Sequence, residues 1–170
     1  MKQYSVELDE QDGIILRELQ QDSSISNVEL ARRVSLSPPA THSRVRRLRE
    51  LGYIRAYVAL LDREQLGYDM LCFITVSLQM HKPDEVQRFH DTVMEMPEVL
   101  ECYHVTGDSD YILKVAVRNR RHLQRFLMDR LTPNPCIARI HTRLVLDEIK
   151  ATTMLPLEAD DENADQENVE

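Results

Sequence analysis

The sequence predicts an α+β chain, with a three-helix N-terminal part followed by a β-α-β-β-α-β second part. Three observations carry this. Residues 9–52 place apolar side chains at helical spacing, interrupted by two short polar turns. Residues 70–145 alternate strand-like runs with two amphipathic helical segments. The apolar share, 42% of 170 residues, is enough for the packed cores of one or two small domains.

In the first part, Asp9 is placed to cap a helix whose apolar stripe is Ile14, Ile15 and Leu19 and which ends near Asp22-Ser23-Ser24. Ser26 opens a second helix, with Glu29 three residues on, the spacing of a reciprocal capping box. Leu30, Ala31 and Val34 form its inner face, and Ser35-Leu36-Ser37 makes a tight turn. Ser37 caps a third helix and Pro38 takes its first position, where a missing N–H costs nothing. Gly52 ends that helix as a left-handed cap. Tyr53–Leu60 has strand composition and is expected as a wing, which makes the whole a winged helix-turn-helix. Asp62 to Gly67 reads as a short turn or helix leading out.

In the second part, strands are expected at Leu71–Leu78, Val99–Thr106, Tyr111–Val117 and Ile137–Val145. Helices are expected at Pro83–Met96 and Arg120–Leu131, the latter stopped by Pro133 and Pro135. Gly107-Asp108-Ser109-Asp110 hinges the middle strands. This order is that of a ferredoxin-like sandwich. Helices on one face leave the other face of the sheet uncovered, and stacking two sheets in a dimer is the simplest remedy. The domain boundaries follow as 1–60, a linker at 61–69, 70–157, and an acidic tail at 158–170 that is expected to be disordered.

Charge locates the candidate function. The formal charge is −8, which would repel phosphates, but seven of the acids lie in residues 158–170, where no base is present. Residues 27–56 hold seven arginines against Glu29 and Glu50, a local +5. A local basic face governs docking to phosphate. On the third helix Thr41, Val45 and Leu48 share one face and should pack inward. The N-terminal half of a recognition helix reaches base edges, which puts Pro39, His42, Ser43 and Arg46 on the groove floor. Arg32, Arg33, Arg47 and Arg49 are placed at phosphates, with Ser37 as a further donor.

The residues just described resemble those of the Lrp/AsnC (feast/famine) regulators over about residues 8–156. The resemblance is carried by Leu8-Asp9-Glu10-Gln11-Asp12, Ile25 to Val34, Leu36-Ser37-Pro38, Arg44 to Leu48, Gly52-Tyr53-Ile54 and Ala59-Leu60-Leu61-Asp62. In the second half it rests on Glu101 to Tyr111 and on Leu144 to Lys150. It implies a sequence-specific transcriptional regulator of promoter DNA whose DNA binding and oligomeric state respond to an amino acid. It also implies dimers formed through the second domain, which assemble into octamers. The effector would sit where two dimers meet, against Gly107, Asp108, Ser109, Asp110 and Tyr111 and the last-strand positions Thr142, Arg143, Leu144 and Val145. A glycine turn offers backbone N–H groups to a carboxylate, and an aspartate accepts an ammonium. Three departures stand out. Pro38-Pro39 and then Thr41-His42-Ser43 replace side chains at the start of the third helix, so operator preference is not inherited from a relative; Arg143 replaces a tyrosine of the leucine-responsive branch; and the acidic tail is an addition.

Two rival readings compete with this one. For an enzyme, Cys102 and His104 share a strand face, but no third ligand is in register and no GxSxG, HExxH, P-loop or GxGxxG is present. No enzyme activity, metal or cofactor is therefore expected. The alternative function is a small-molecule sensing module that acts on protein partners instead of DNA. The cysteines Cys72, Cys102 and Cys136 are widely spaced and read as core residues in a reducing compartment. With no apolar leader in Met1–Gly13 and no apolar run of about 20 residues, a cytoplasmic protein is expected.

Overall fold

The computed structural model describes residues 8–79 and 82–157; the expected disorder of the acidic tail falls outside them. Two compact units emerge. One runs to Ala59 and takes in the segment from Lys150 onward; the other spans Leu60–Ile149.

The first unit holds α1 (Glu10–Gln21), α2 (Asn27–Arg33) and α3 (Pro38–Glu50). Their apolar stripes meet in a small core of Ile15, Leu16, Leu30, Val34 and Leu48. The reciprocal capping box forms at α1, where Asp12 N–H donates to Asp9 at 2.8 Å and Asp9 N–H returns to Asp12 at 3.4 Å. The box expected at α2 is only half made. Ser26 accepts from Glu29 N–H at 3.2 Å, but the Glu29 carboxylate turns to Arg32 and Arg33, whose guanidiniums are stronger donors than a backbone amide. At the end of α3, Gly52 (φ +83°) lets Tyr53 N–H reach Leu48 C=O and Gly52 N–H reach Arg49 C=O, a Schellman closure.

The turn between α2 and α3 places Ser35 at φ +56°, a left-handed conformation that costs an L-residue about 1–2 kcal/mol. Ser35→Gly should therefore raise the unfolding free energy of this unit by about 1 kcal/mol. A urea melt with an unchanged or lowered midpoint would contradict this.

The wing strand expected at 53–60 does not form within the chain. No strand is assigned between Tyr53 and Asp69, and Tyr57, Val58, Leu60 and Leu61 are exposed. Strand composition alone does not make a strand, because the ladder needs a partner. Residues 150–157, expected with the second domain, lie instead with the first unit. Leu157 packs on the three-helix core, and the Gln20 side chain brackets the Leu155 backbone from both sides, at 2.7 and 3.1 Å.

The second unit contains β1 (Met70–Leu78), α4 (Pro83–Met94), β2 (Val99–His104), β3 (Tyr111–Val117), α5 (Arg120–Arg125), continued by a π-helical turn over Phe126–Leu131, and β4 (Ile137–Leu144). The sheet order is β2-β3-β1-β4 with all neighbours antiparallel, the ferredoxin-like arrangement expected. Alternation along the strands turns Cys72, Ile74, Val76, Leu113, Val115 and Val117 toward Phe89, Val93, Phe126 and Leu131 of the helical layer. The opposite face presents Phe73 and Tyr103, both exposed, together with the Lys114–Glu101 ion pair at 3.2 Å. Of the cysteines, Cys72 and Cys136 are buried as expected, but Cys102 is exposed, because β2 is an edge strand.

Candidate DNA interface and ligand loop

The register of α3 is set from behind. Thr41 and Leu48 are fully buried and Val45 is partly so. The Thr41 hydroxyl donates to Ser37 C=O at 3.1 Å, satisfying itself inside the helix. At 100° per residue the far face must then carry Pro39, His42, Ser43 and Arg46, and all four are exposed. Ser37 caps α3 through Ala40 N–H at 3.4 Å and is itself exposed.

The arginines around this face each engage a local carboxylate or ring. Arg46 donates to Glu50 at 2.7 Å, with the Arg46 side chain 72% exposed. Arg32 forks onto Glu29 at 2.9 and 2.7 Å, and Arg33 reaches Glu29 at 3.0 Å and Glu18 at 2.9 Å. The Arg32 and Arg33 guanidiniums hold the Glu29 carboxyl down to about 2. Because that pKa is depressed, the clamp is fully formed above the ordinary glutamate range and is lost only as pH falls toward about 2. Solvent screens exposed pairs of this kind and leaves them weak, so a phosphate can take either arginine away. Arg49 lies over the Tyr57 ring, 5.7 Å from its centroid.

Two arginines are engaged differently. Asp12 is fully buried, and its carboxylate accepts from Arg44 at 2.9 Å and from Arg47. Arg44 also reaches Asp9 at 2.5 Å. The sequence reading puts Arg47 among the phosphate ligands; the structure turns its guanidinium onto Asp12, because a buried carboxylate must be paired. The signal was present in the sequence. Asp9 and Asp12 lie three apart on α1, and Arg44 and Arg47 three apart on α3, so both pairs share a helix face. Arg55, which sequence reasoning left out of the site, lines a cleft with Arg46, Arg49, Glu50 and Ile54.

The candidate ligand loop sits at the top of β3. Gly107 adopts φ +115°, open only to glycine, and Val105 N–H bonds Asp110 C=O at 2.9 Å to close the hairpin. Asp108 is exposed and Ser109 half-buried. Asp110 is committed elsewhere: its N–H donates to Val76 C=O at 3.0 Å, and its carboxylate accepts from Leu78 N–H at 2.7 Å. Tyr111 is buried at 2% exposure, its ring 4.6 Å from Phe89 and stacked 4.9 Å from His104, its hydroxyl 2.9 Å from His90 Nε2. Tyr111 therefore offers the loop its backbone and not its side chain.

One chain does not bring this loop together with Thr142, Arg143, Leu144 and Val145. Val76 of β1 pairs with both Tyr111 and Ile140, so β1 lies between the two segments. Strand spacing and rise then put Thr142 about 12 Å and Val145 about 19 Å from Tyr111. Alternation turns Thr142 and Leu144 to the helical side and Arg143, opposite Phe73, to the open face. Among the described residues no cluster of three or more His, Cys, Asp or Glu side chains is placed to hold a metal.

Comparison with known proteins agrees with both halves. Residues 8–55 match a winged helix-turn-helix DNA-binding family, and residues 71–155 match the Lrp/AsnC ligand binding domain. The chain belongs to the Lrp/AsnC family of transcriptional regulators. It is 38% identical to the leucine-responsive regulatory protein of Escherichia coli K12, over 91% of this chain and 94% of that protein. It is 34% identical to the transcriptional regulator AzlB of Bacillus subtilis, over 89% of this chain and 96% of the relative. Its fold is similar to a transcriptional regulator of Neisseria meningitidis solved as an L-Met complex, with a TM-score of 0.86, 36% identity and coverage of 89% and 97%. It is also similar to E. coli AsnC, with a TM-score of 0.80, 28% identity and coverage of 87% and 98%. The winged helix-turn-helix match ends at residue 55, so it takes in only the first three of residues 53–60, over which no strand forms. These relatives are regulators and not enzymes.

Proposed function

We propose that this Lrp/AsnC family member is a cytoplasmic, non-enzymatic regulator that lays α3 in the major groove of promoter duplexes. One observation carries the reading. Pro39, His42, Ser43 and Arg46 form an exposed strip on a helix whose other side is locked by Thr41 and Leu48. Arg46 would fork onto guanine, while Arg32, Arg33 and Arg49, with Ser37, would hold phosphates. No helix among the described residues is long and apolar enough to cross a membrane. About half a dozen phosphate contacts per dimer should give a log–log dependence of affinity on salt with a slope of several units. A flat dependence would favour the rival reading, a sensor that acts through protein partners.

The phosphate roles have their own test. Glu29→Gln removes the carboxylate that clamps Arg32 and Arg33, and should tighten binding to any duplex severalfold at low salt without altering sequence preference. Unchanged affinity would remove both arginines from the interface.

An amino-acid effector is the natural ligand for the loop at 107–110, and the L-Met complex of the Neisseria relative supports that class. The exposed Asp108 is the carboxylate best placed to accept an ammonium. Since β1 separates the loop from Thr142–Val145, a site using both draws on two copies, in keeping with dimers that pair through the open sheet face and assemble to an octamer. Asp108→Ala should abolish the thermal shift given by the effector amino acid and leave the melting temperature of the free protein unchanged. Asp110→Ala should instead lower stability by about 1–3 kcal/mol, because Leu78 N–H loses its acceptor. The reverse pattern would exchange the roles of the two aspartates.

A further inference from the structure

We propose that the carboxylate-rich segment 158–170 docks on the arginine-lined cleft at the C-terminal end of α3 and competes there with DNA. The cleft has a volume of about 420 Å³ and is walled by Arg46, Arg49 and Arg55, with Ile54 and Glu50 beside them. Its only carboxylate, Glu50, is engaged by Arg46, which leaves the cleft two positive charges in excess. Arg49 is held against the Tyr57 ring and so is partly ordered before any ligand arrives.

The segment matches this site in charge and in attachment. Residues 158–170 carry seven acids and no base. The chain leading into them is fastened to the unit that bears the cleft. Gln20 brackets the Leu155 backbone, Arg17 donates to Leu157 C=O at 3.1 Å, and Leu157 packs on the same core as Leu48 and Ile54. From that anchor thirteen residues can span up to about 45 Å. A folded unit of this size is only about 25 Å across, so the cleft is within reach. A short tether of this kind supplies an effective concentration of order millimolar, enough for a weak ionic contact to be well populated. The i,i+4 pair Arg46–Glu50 is exposed and cheap to displace. The competition with DNA rests on the major-groove reading above, whereas the docking does not.

The test uses the full chain, a chain ending at Leu157, and a fluorescent peptide of residues 158–170. The peptide should bind the shortened chain at about 50 mM salt, bind the full chain several times more weakly, and be released at about 0.5 M salt. Arg49→Ala/Arg55→Ala in the shortened chain should abolish peptide binding; both side chains are exposed, so the fold should survive. Peptide binding that ignores these two substitutions, or no binding at all, overturns the docking. For DNA, the shortened chain should bind a duplex about threefold to tenfold more tightly at low salt, the factor by which the tail occupies the site. Replacing the seven acids by their amides should do the same. Equal duplex affinity of full and shortened chains overturns the competition. Peptide capture by a protein that binds no duplex would uphold the docking while refuting the major-groove reading.

Discussion

Asp12→Ala should cost the helix-turn-helix unit about 2–4 kcal/mol, the largest stability effect expected from a single polar side chain here. Three separate losses combine. The reciprocal cap at the start of α1 loses its second member, a change of about 1 kcal/mol. Arg44 and Arg47 lose the buried carboxylate between them. A void opens at a fully buried position. The two guanidiniums are partly exposed and can turn to water, which keeps the cost below that of stranding a buried charge. Asp12→Asn keeps the shape and one acceptor oxygen, and should lose about half as much. Amide exchange in α1 and α3 should accelerate in both variants, with little change in β1 and β3, which belong to the other unit. A loss under 1 kcal/mol for Asp12→Ala would mean that the arginines bind the carboxylate without stabilising anything.

Arg46→Ala should reduce discrimination between the preferred duplex and a scrambled one by about 1–3 kcal/mol, roughly fivefold to 150-fold. A guanidinium that forks onto one guanine carries sequence information, and its removal strips that base of its reader. Arg32→Ala should weaken both duplexes alike and lower the salt slope by about one. The contrast matters more than either number. Both side chains are 72% exposed and paired to a neighbouring glutamate, so their surroundings in the free protein are alike. Only their positions relative to the duplex differ, and equal behaviour of the two variants would refute the division between base reader and phosphate ligand.

Helix starts and stops were legible in the sequence wherever one local rule governs them. Ser26, Ser37 and Gly52 stand at α2 and α3 as their chemistry dictates. The β-α-β-β-α-β order follows from periodicity alone, and right pairing of four strands then leaves few alternatives. The inward face of α3 follows from the spacing of Thr41, Val45 and Leu48 in the same way. What was not legible depends on choices among partners. Glu29 satisfies its spacing for a capping box yet prefers two guanidiniums. Arg47 shares with Arg44 a spacing that matches Asp9 and Asp12, but only the packing of α3 against α1 brings the two pairs together. Tyr53–Leu60 has the composition of a strand, but no strand forms over these residues. The ligand loop divides similarly. Asp108 and Asp110 are two residues apart in the same polar run, and only tertiary structure sends one to solvent and the other to Leu78 N–H.

The central claim is that the exposed strip of α3 faces the duplex. A photo-crosslinker attached at Ser43→Cys, in a Cys102→Ser background that removes the other exposed thiol, tests it directly. The expected result is efficient capture of promoter DNA at low salt, released by competitor duplex, with a label on Gln21→Cys of α1 as the non-reacting control. Capture from position 21 and none from position 43 would contradict it, since the protein would then hold DNA by some other surface.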